Sequence, residues 1–470
     1  TDFDSTSEFS AAVTVVLGPL VVNSTGDASD DDLLDDVCDT GATIVGGDPE
    51  CTLRAAIEQA NDRSGLDTIE FNIPTSDGGY AASPLSYTIG VAVPGSPILP
   101  ATTDPVIIDG ASQPDFVGTP IIVLDGTNRV DLSGNSDPNG LTLQAGGSTI
   151  RGLVIVNSGD DAIEIETNGG NTIVGNYLGV EADGSTPAGN GWGMAIKSSD
   201  NTIGGTTAAD RNVISGNSNY GISIYEAASG NTVQGNYIGV TAGGTASTGN
   251  GGSGIEIVEG ANSATIGGSA PGAGNVISGN GGYGVDISGV GTDSNRVIGN
   301  LIGTNASGTA DLGNSLDGVA IRDGAQSNVV GGSTVAERNI ISGNDNDGVW
   351  ITGTGTSANQ VRGNWIGYGS DGSSIGNAYH GVAVEFGASG NVVGGVQAGS
   401  GNRIGNSGWD GVAVSIGPGL ENAVVGNAIH SNGDLGIDLA SDGVTPNDPG
   451  DDALNFPEIT AARESGGIVT

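Results

Sequence analysis

One short phrase returns along most of this chain at intervals of 30 to 33 residues, and it restricts the fold more than any other feature. It reads Asn-Thr-Ile-Val-Gly-Asn from Asn171, Asn-Thr-Ile-Gly-Gly from Asn201 and Asn-Thr-Val-Gln-Gly-Asn from Asn231, and it returns at Ser263, Asn295, Asn328, Asn359, Asn391 and Asn422. A second phrase, Gly-apolar-X-apolar, interleaves with the first and begins at Gly193, Gly221, Gly254, Gly284, Gly318, Gly348, Gly381, Gly411 and Gly436. Self-similarity at such a period is the mark of a solenoid, in which each unit buries its apolar face only against its neighbours.

The units alternate in kind. One carries Arg-Asn-Val-Ile-Ser-Gly-Asn, ending at Asn217 and echoed at Asn280, Asn344 and, less faithfully, Asn406. The other carries Gly-Asn-Tyr-Ile-Gly-Val around Asn236, echoed at Asn176, Asn300, Asn364 and Asn427. The full period is therefore a pair of coils, about 63 residues.

Each unit offers three short alternating strands and no amphipathic helix, which excludes leucine-rich and ankyrin solenoids. In Gly221-Ile-Ser-Ile-Tyr, Ile222 and Ile224 point inward while Ser223 and Tyr225 point outward. Stacked units place Ile over Ile and Val over Val at about 4.8 Å per coil. The expected fold class is all-β: a right-handed parallel β-helix solenoid of about 31 residues per coil with a short N-terminal capping helix. Asn tolerates the left-handed conformation of a turn, and its amide can donate to the Asn one coil away. The recurrent Asn residues are accordingly assigned to structure rather than to catalysis.

Composition agrees. There are 87 Gly in 470 residues and only 6 Phe, without the Gly-X-Y period of collagen. No stretch reaches the roughly 18 to 20 apolar residues of a membrane span. The segment Ala11 to Val22, broken by Gly18 and Pro19, reads as a strand region. The net charge of −42 repels phosphate backbones and anionic lipid, so nucleic acid and direct membrane insertion are not expected. Screening by salt or divalent cations suits an exterior location, although such a charge also serves solubility alone.

Cys38 and Cys51 are the only cysteines. A disulfide between them would contribute about 3 kcal/mol and fits secretion, against the alternative of two free thiols. Immediately after, Leu53, Ala56, Ile57 and Ala60 form one helical stripe, the natural cap for an open solenoid end. The segment from Cys51 to Asp62, Cys-Thr-Leu-Arg-Ala-Ala-Ile-Glu-Gln-Ala-Asn-Asp, resembles the Cys-Ser-Leu-Arg-Glu-Ala (CSLREA) element of bacterial and archaeal surface β-helix proteins, departing from it at Thr52 and Ala55. The resemblance continues through the Pro105, Gly118 and Ser148 segments and the Asn repeats, over roughly residues 20–460. It implies a β-helix and an exported, surface-associated location, and it brings no catalytic residue with it. The organisation expected is a cap region over 1–70, the β-helix over 71–455, and over 456–470 the start of a further β-domain or a C-terminal tail.

The chemistry the sequence offers lies on the outward side of the Gly-apolar-X-apolar strands. A lyase base is not expected, because Lys197 and Arg322, the basic residues of that face, stand four coils or about 19 Å apart. The residues preceding the Gly are Asp317, Asp347, His380 and Asp410 in four successive coils, with Asp286, Arg322, Trp350 and Trp409 on or beside that column. Two carboxylates about 5 Å apart suit a retaining glycosidase and about 6.5–9.5 Å an inverting one, but Asp-Gly is also ordinary turn chemistry. Trp192, Tyr220, Tyr225, Tyr283 and Trp350 lie on the same face as candidate glycan-stacking rings, in a chain otherwise poor in aromatics. Asp27, Asp30, Asp31, Asp32, Asp35 and Asp36 near the cap, and Asp442, Asn447, Asp448, Asp451 and Asp452 at the far end, supply oxygens suited to calcium or form solvated loops.

The first expectation is an extracellular surface or structural protein without catalysis: an adhesin, a surface-layer component or a filament subunit. No cofactor is required, and the partners are surface glycans or other copies of the chain. The alternative is a polysaccharide-binding or polysaccharide-hydrolysing β-helix enzyme.

Overall fold

The computed structural model describes residues 18–90, 98–127, 138–415, 419–439, 464–465 and 468–469. It is a right-handed parallel β-helix. Three sheets run its length. The first has 13 strands, from Leu20–Val22 to Ala423–Val425; the second has 13, from Tyr80–Ala82 to Ala428–His430; the third has 11, from Leu141–Leu143 to Ile437–Leu439. From Val106–Asp109 on, each coil contributes one strand to each sheet in that order, and apart from the Tyr80–Ala82 hairpin the stacking pairs are parallel.

Register follows the apolar pattern. On the third sheet Ile163, Met194, Ile222, Ile255, Val285, Val319, Val349, Val382 and Val412 lie one over the next. All are fully buried, and each contributes about 1.5–3 kcal/mol by leaving water. The Gly that opens the later strands of this series has a packing reason. A Cβ on Gly221, Gly254, Gly284, Gly318 or Gly348 would stand within 3.0 Å of the Cγ2 of an Ile on the second sheet. The chain can turn from one sheet to the next this tightly only without a side chain.

Three Asn ladders hold the corners. The second is unbroken: side-chain amides link Asn176, Asn212, Asn236, Asn275, Asn300, Asn339, Asn364, Asn402 and Asn427 at 2.9–3.1 Å. It draws alternately on the Arg-Asn-Val-Ile and Gly-Asn-Tyr-Ile phrases, which therefore fill one structural position. The third runs Asn190, Asn217, Asn250, Asn280, Asn314, Asn344 and Asn377.

Two positions differ from the sequence alignment by one residue. The first ladder, which links Asn171, Asn201 and Asn231 and then Asn295, Asn328, Asn359, Asn391 and Asn422, passes through Ala264 rather than Ser263, because Thr232 pairs with Thr265; Ser263 sits in a turn with φ 56°. Ala264 breaks the chain of amides there, although its N–H still donates to Asn295 Oδ1 at 2.9 Å. Likewise Ser407, not Asn406, holds the third-ladder position; Asn406 turns away with φ 59° and donates to the carbonyl of Gly367 at 2.9 Å.

The 63-residue period has a visible cause. Every second coil carries a long loop bridged at its base: Val180 with Pro187, Val240 with Ser247, Thr304 with Asp311, Tyr368 with Ser374. These loops fold over the outer face of the second sheet and bond to one another, Ala242 N–H to Gly184 O, Ala306 N–H to Gly244 O and Ser370 N–H to Gly308 O, each 2.8 Å. Beneath them lies a satellite apolar cluster of Val123, Val154, Val156, Tyr177, Val180 and Val213. The second sheet is thus covered on its outside, whereas the third is bordered by short turns.

The N-terminal end is closed as expected. Helix α1, Leu53–Asp62, starts at Thr52, whose hydroxyl accepts from Ala55 N–H at 3.1 Å. Leu53, Ala56, Ile57 and Ala60 are buried against the strands Leu20–Val22 and Asp67–Phe71. Cys38 and Cys51 are disulfide-bonded, and Arg54 is buried against Asp27 at 3.1 Å. Of the segment Ala11 to Val22, the part from Leu20 is a strand and residues 11–17 lie outside the described residues. Near the other end Glu464–Ser465 pairs antiparallel with Ile468–Val469. Among the described residues no helix is long and apolar enough to cross a membrane.

Candidate functional site

The outer face of the third sheet carries one column of residues that the Gly turns present coil after coil. Asp161 pairs with Trp192, and the register carries the column on through Tyr220, Ser253, Tyr283, Asp317, Asp347, His380 and Asp410. The catalytic candidates Asp317, Asp347, His380 and Asp410 and the ring candidates Trp192, Tyr220 and Tyr283 thus share a single line, whereas Trp350 stands in the column of Ala320 and Ala383 and Tyr225 follows the inward Ile224.

At its C-terminal half the column is bonded into the scaffold. Asp317 Oδ1 accepts the N–H of Asp347 and Asp347 Oδ1 that of His380, both at 2.7 Å, and Asp410 Oδ1 that of Leu435 at 2.8 Å. Asn346 also donates to Asp317 Oδ1, at 2.7 Å. These side chains do at this edge what Asn does at the corners: each supplies an acceptor to the next coil's backbone. Burial pushes the Asp317 carboxyl up to about 7. Burial and the neighbouring Asp317 push Asp347 up to about 8. His380 Nδ1 lies 3.2 Å from Asp410 Oδ2. One position upstream of the column, the rings of Tyr379 and Trp409 meet at 4.8 Å and are 40% and 49% exposed.

At the N-terminal half the chemistry is different. Trp192 meets Tyr220 edge-on at 5.5 Å and Tyr225 at 6.0 Å, all three half-buried. Lys197 lies 5.6 Å from the Tyr225 ring centre and bonds Glu164 at 2.7 Å. Burial works against the Lys197 charge, yet the Glu164 carboxylate more than offsets this and raises its pKa. Tyr225 is pushed to about 12, chiefly by burial. Beside them Asp161 is buried, and its Oδ1 has no hydrogen-bond partner. Burial, reinforced by Asp160 and Glu164, raises it to about 8, so it holds its proton at neutral pH. Lys197 also lines an open polar cleft of about 510 Å³ with Thr167, Asn168, Ser199, Asp200 and Glu226.

Further along, Ser223 donates to Glu256 at 2.9 Å, and Arg322 grips Asp286 through two bonds of 3.0 and 2.8 Å. Tyr283 lies 5.9 Å from the Arg322 guanidinium. Trp350 is half-buried in the next coil, between Ala320 and Ala383. The two basic residues of this face are therefore each engaged by a carboxylate.

The sequence reading passed over Asp161, Glu164 and Tyr379. Asp161 precedes Ala162 where later coils have Gly, so a phrase beginning with Gly omits its coil. Tyr379 and Trp409 share a signal that was available: both stand two residues before the strand-opening Gly in adjacent coils.

The acidic cap residues are dispersed. Asp27 pairs with Arg54, Asp30 N–H bonds Glu58, Asp31 is raised by its bond to Asp39, and Asp32 and Asp35 accept from Leu34 and Val37 N–H. Asp36 lies 4.0 Å from Arg63. Among the described residues no group of three or more His, Cys, Asp or Glu side chains is disposed to hold a metal. Asp442, Asn447, Asp448, Asp451 and Asp452 lie outside the described residues.

No protein-family model and no curated protein matches the chain. Among solved structures it is similar to the A-module of the Azotobacter vinelandii mannuronan C-5 epimerase AlgE4, at 14% identity and TM-score 0.49, covering 84% of this chain and 96% of that one. The AlgE6 A-module of the same organism gives 16% and 0.46, over 81% and 94%. Pectate lyase Pel9A gives 11% and 0.34, over 88% and 80%.

Proposed function

We propose that this is an extracellular polysaccharide-binding β-helix that holds a neutral glycan along the outer face of its third sheet. One observation carries the reading: Trp192, Tyr220 and Tyr225 are gathered into one half-exposed cluster beside Asp161, Glu164 and Lys197, in a chain with only 4% aromatic residues. Aromatic rings ringed by a few fixed polar groups suit a sugar, which has an apolar face and a hydroxylated edge. A neutral glycan is favoured because a protein of net charge −42 repels polyanions. Lys197 and Arg322, moreover, are already committed to Glu164 and Asp286. The disulfide supports an oxidising, exported location, as does the cap's resemblance to the CSLREA element. An adhesin uses such a face directly. A surface-layer or filament subunit has no need of it.

Hydrolysis is a second reading, favoured by Asp161. A buried carboxyl that keeps its proton at pH 7 and has a free oxygen is equipped to donate to a leaving group, with Glu164 as its companion carboxylate.

The test is tryptophan fluorescence titration with neutral polysaccharides (dextran, mannan, β-glucan) and with polygalacturonate for contrast. Wild type is expected to bind a neutral polymer, and Trp192→Ala to bind it at least tenfold more weakly. Equal binding by the two proteins, or preference for the polyuronate, overturns the reading. Release of reducing ends that disappears in Asp161→Asn, with binding retained, would establish the hydrolytic version.

A further inference from the structure

We propose that Tyr379 and Trp409 form a second glycan platform, and that a single polysaccharide chain running parallel to the helix axis occupies it together with the Trp192 cluster. The inference rests on the glycan-binding reading above and adds the ligand's form: a polymer, held at two separated points.

Three observations support it. First, both platforms belong to one straight line. Six coil steps lead from Trp192 to His380, the residue after Tyr379, so the platforms are about 29 Å apart on the same face. Second, among the described residues Tyr379 and Trp409 are two of the three large aromatic side chains left exposed, at 40% and 49%, and they are arranged rather than scattered. Their rings meet at 4.8 Å, and His380 braces Trp409 edge-on at 5.4 Å. Its neighbour Asp410 holds His380 in turn at 3.2 Å. The scaffold bonds of Asp347, His380 and Asp410 thus fix a ring pair that packs against no core of its own.

Third, the path between the platforms is open and furnished. The long loops lie over the second sheet, not the third. Half-buried Tyr283 and Trp350 stand along the way, with the half-buried Glu256 carboxylate between Trp192 and Tyr283. A surface that repeats its backbone every 4.8 Å or so presents the same spacing over its whole length, which suits a ligand that also repeats. A short oligosaccharide reaches one platform only.

Occupying both platforms with one chain makes the second contact intramolecular, and such linkage raises apparent affinity by about 10² to 10⁴-fold without new contacts. The full chain should be titrated with dextran, mannan and β-glucan polymers and with their di- to tetrasaccharides, using wild type, Trp192→Ala, Trp409→Ala and the double variant. Circular dichroism would confirm that each is folded. The polymer that binds is expected to lose at least tenfold in affinity on either single substitution. Its short fragments should bind two independent sites, each lost only with its own tryptophan. If Trp409→Ala binds polymer as wild type does while Trp192→Ala does not, the two-point inference is overturned and the glycan-binding reading stands. If wild type binds none of the polymers, both fall.

Discussion

The carboxyl group of Asp347 accepts the backbone N–H of His380 at 2.7 Å, and Asp317, one coil below, accepts the N–H of Asp347 at the same distance. Two buried carboxyls in adjacent coils thus serve as struts for the parallel stack, at a cost in ionisation. Ordinary aspartate titrates at 3.8, whereas Asp317 stands at about 7 and Asp347 and Asp161 at about 8.

The sign of the pH dependence follows. Between about pH 4 and pH 8 the native state retains protons that the unfolded chain has lost, so stability is greatest below 3.8 and declines as pH rises through the folded values. Asp347→Asn keeps an acceptor oxygen and removes the titration. Guanidinium unfolding is expected to show a stabilisation of about 1 kcal/mol or more at pH 8, and none at pH 4. Equal denaturation midpoints for the two proteins at pH 8 would count against buried, protonated struts.

Asn300 is bonded on every side: its Oδ1 accepts from the N–H and the side chain of Asn275 at 3.0 and 2.9 Å, and its Nδ2 donates to Ile266 O at 2.9 Å and Asn339 Oδ1 at 3.1 Å. Asn300→Ala would strand several buried groups, each costing about 1–3 kcal/mol. A loss of at least ~3 kcal/mol in chemical denaturation is expected. Asn300→Asp should fare no better, since it removes the donor and buries a charge.

Much of this was legible in the residues. The repeat dictated the stacking of Ile222 under Ile255 and the amide ladders, because in a solenoid the neighbour of each residue is its own counterpart one period away, and the apolar stripe Leu53, Ala56, Ile57 and Ala60 gave the closing helix. The site was legible only in part. Asp317 and Asp347 read as a carboxylate pair, but their engagement by backbone N–H groups depends on how the turn aims each side chain, which spacing does not specify. Lys197 and Arg322 read as isolated bases. Their partners Glu164 and Asp286 come from neighbouring coils, and only the register across coils brings them together.

Gly284 tests the turn geometry. A Cβ there would lie 2.7 Å from Ile302 Cγ2 and would also press on the carbonyl of Gly318. Gly284→Ala is expected to cost about 1–3 kcal/mol, as overpacking does, and to shift Tyr283. Unchanged thermal unfolding would mean that the strand opening has slack.

Replacing both Cys38 and Cys51 by Ser removes the link that ties the loop before α1 to its start. The chain-entropy estimate is about 3 kcal/mol, confined to the cap. Hydrogen exchange is expected to quicken across Leu53–Asp62 while the strands beyond Leu141 stay protected, since solenoid units depend on their nearest neighbours.

The loops over the second sheet touch their own kind two coils away, Gly184 receiving the N–H of Ala242 and Gly244 that of Ala306. A single coil gained or lost would bring a loop-bearing coil against another of the same kind and leave the chain of loops out of step. Coils can therefore be added or removed without offence only two at a time, so that rods of this type differ in length by whole pairs, as a tiled wall grows by full courses rather than by bricks.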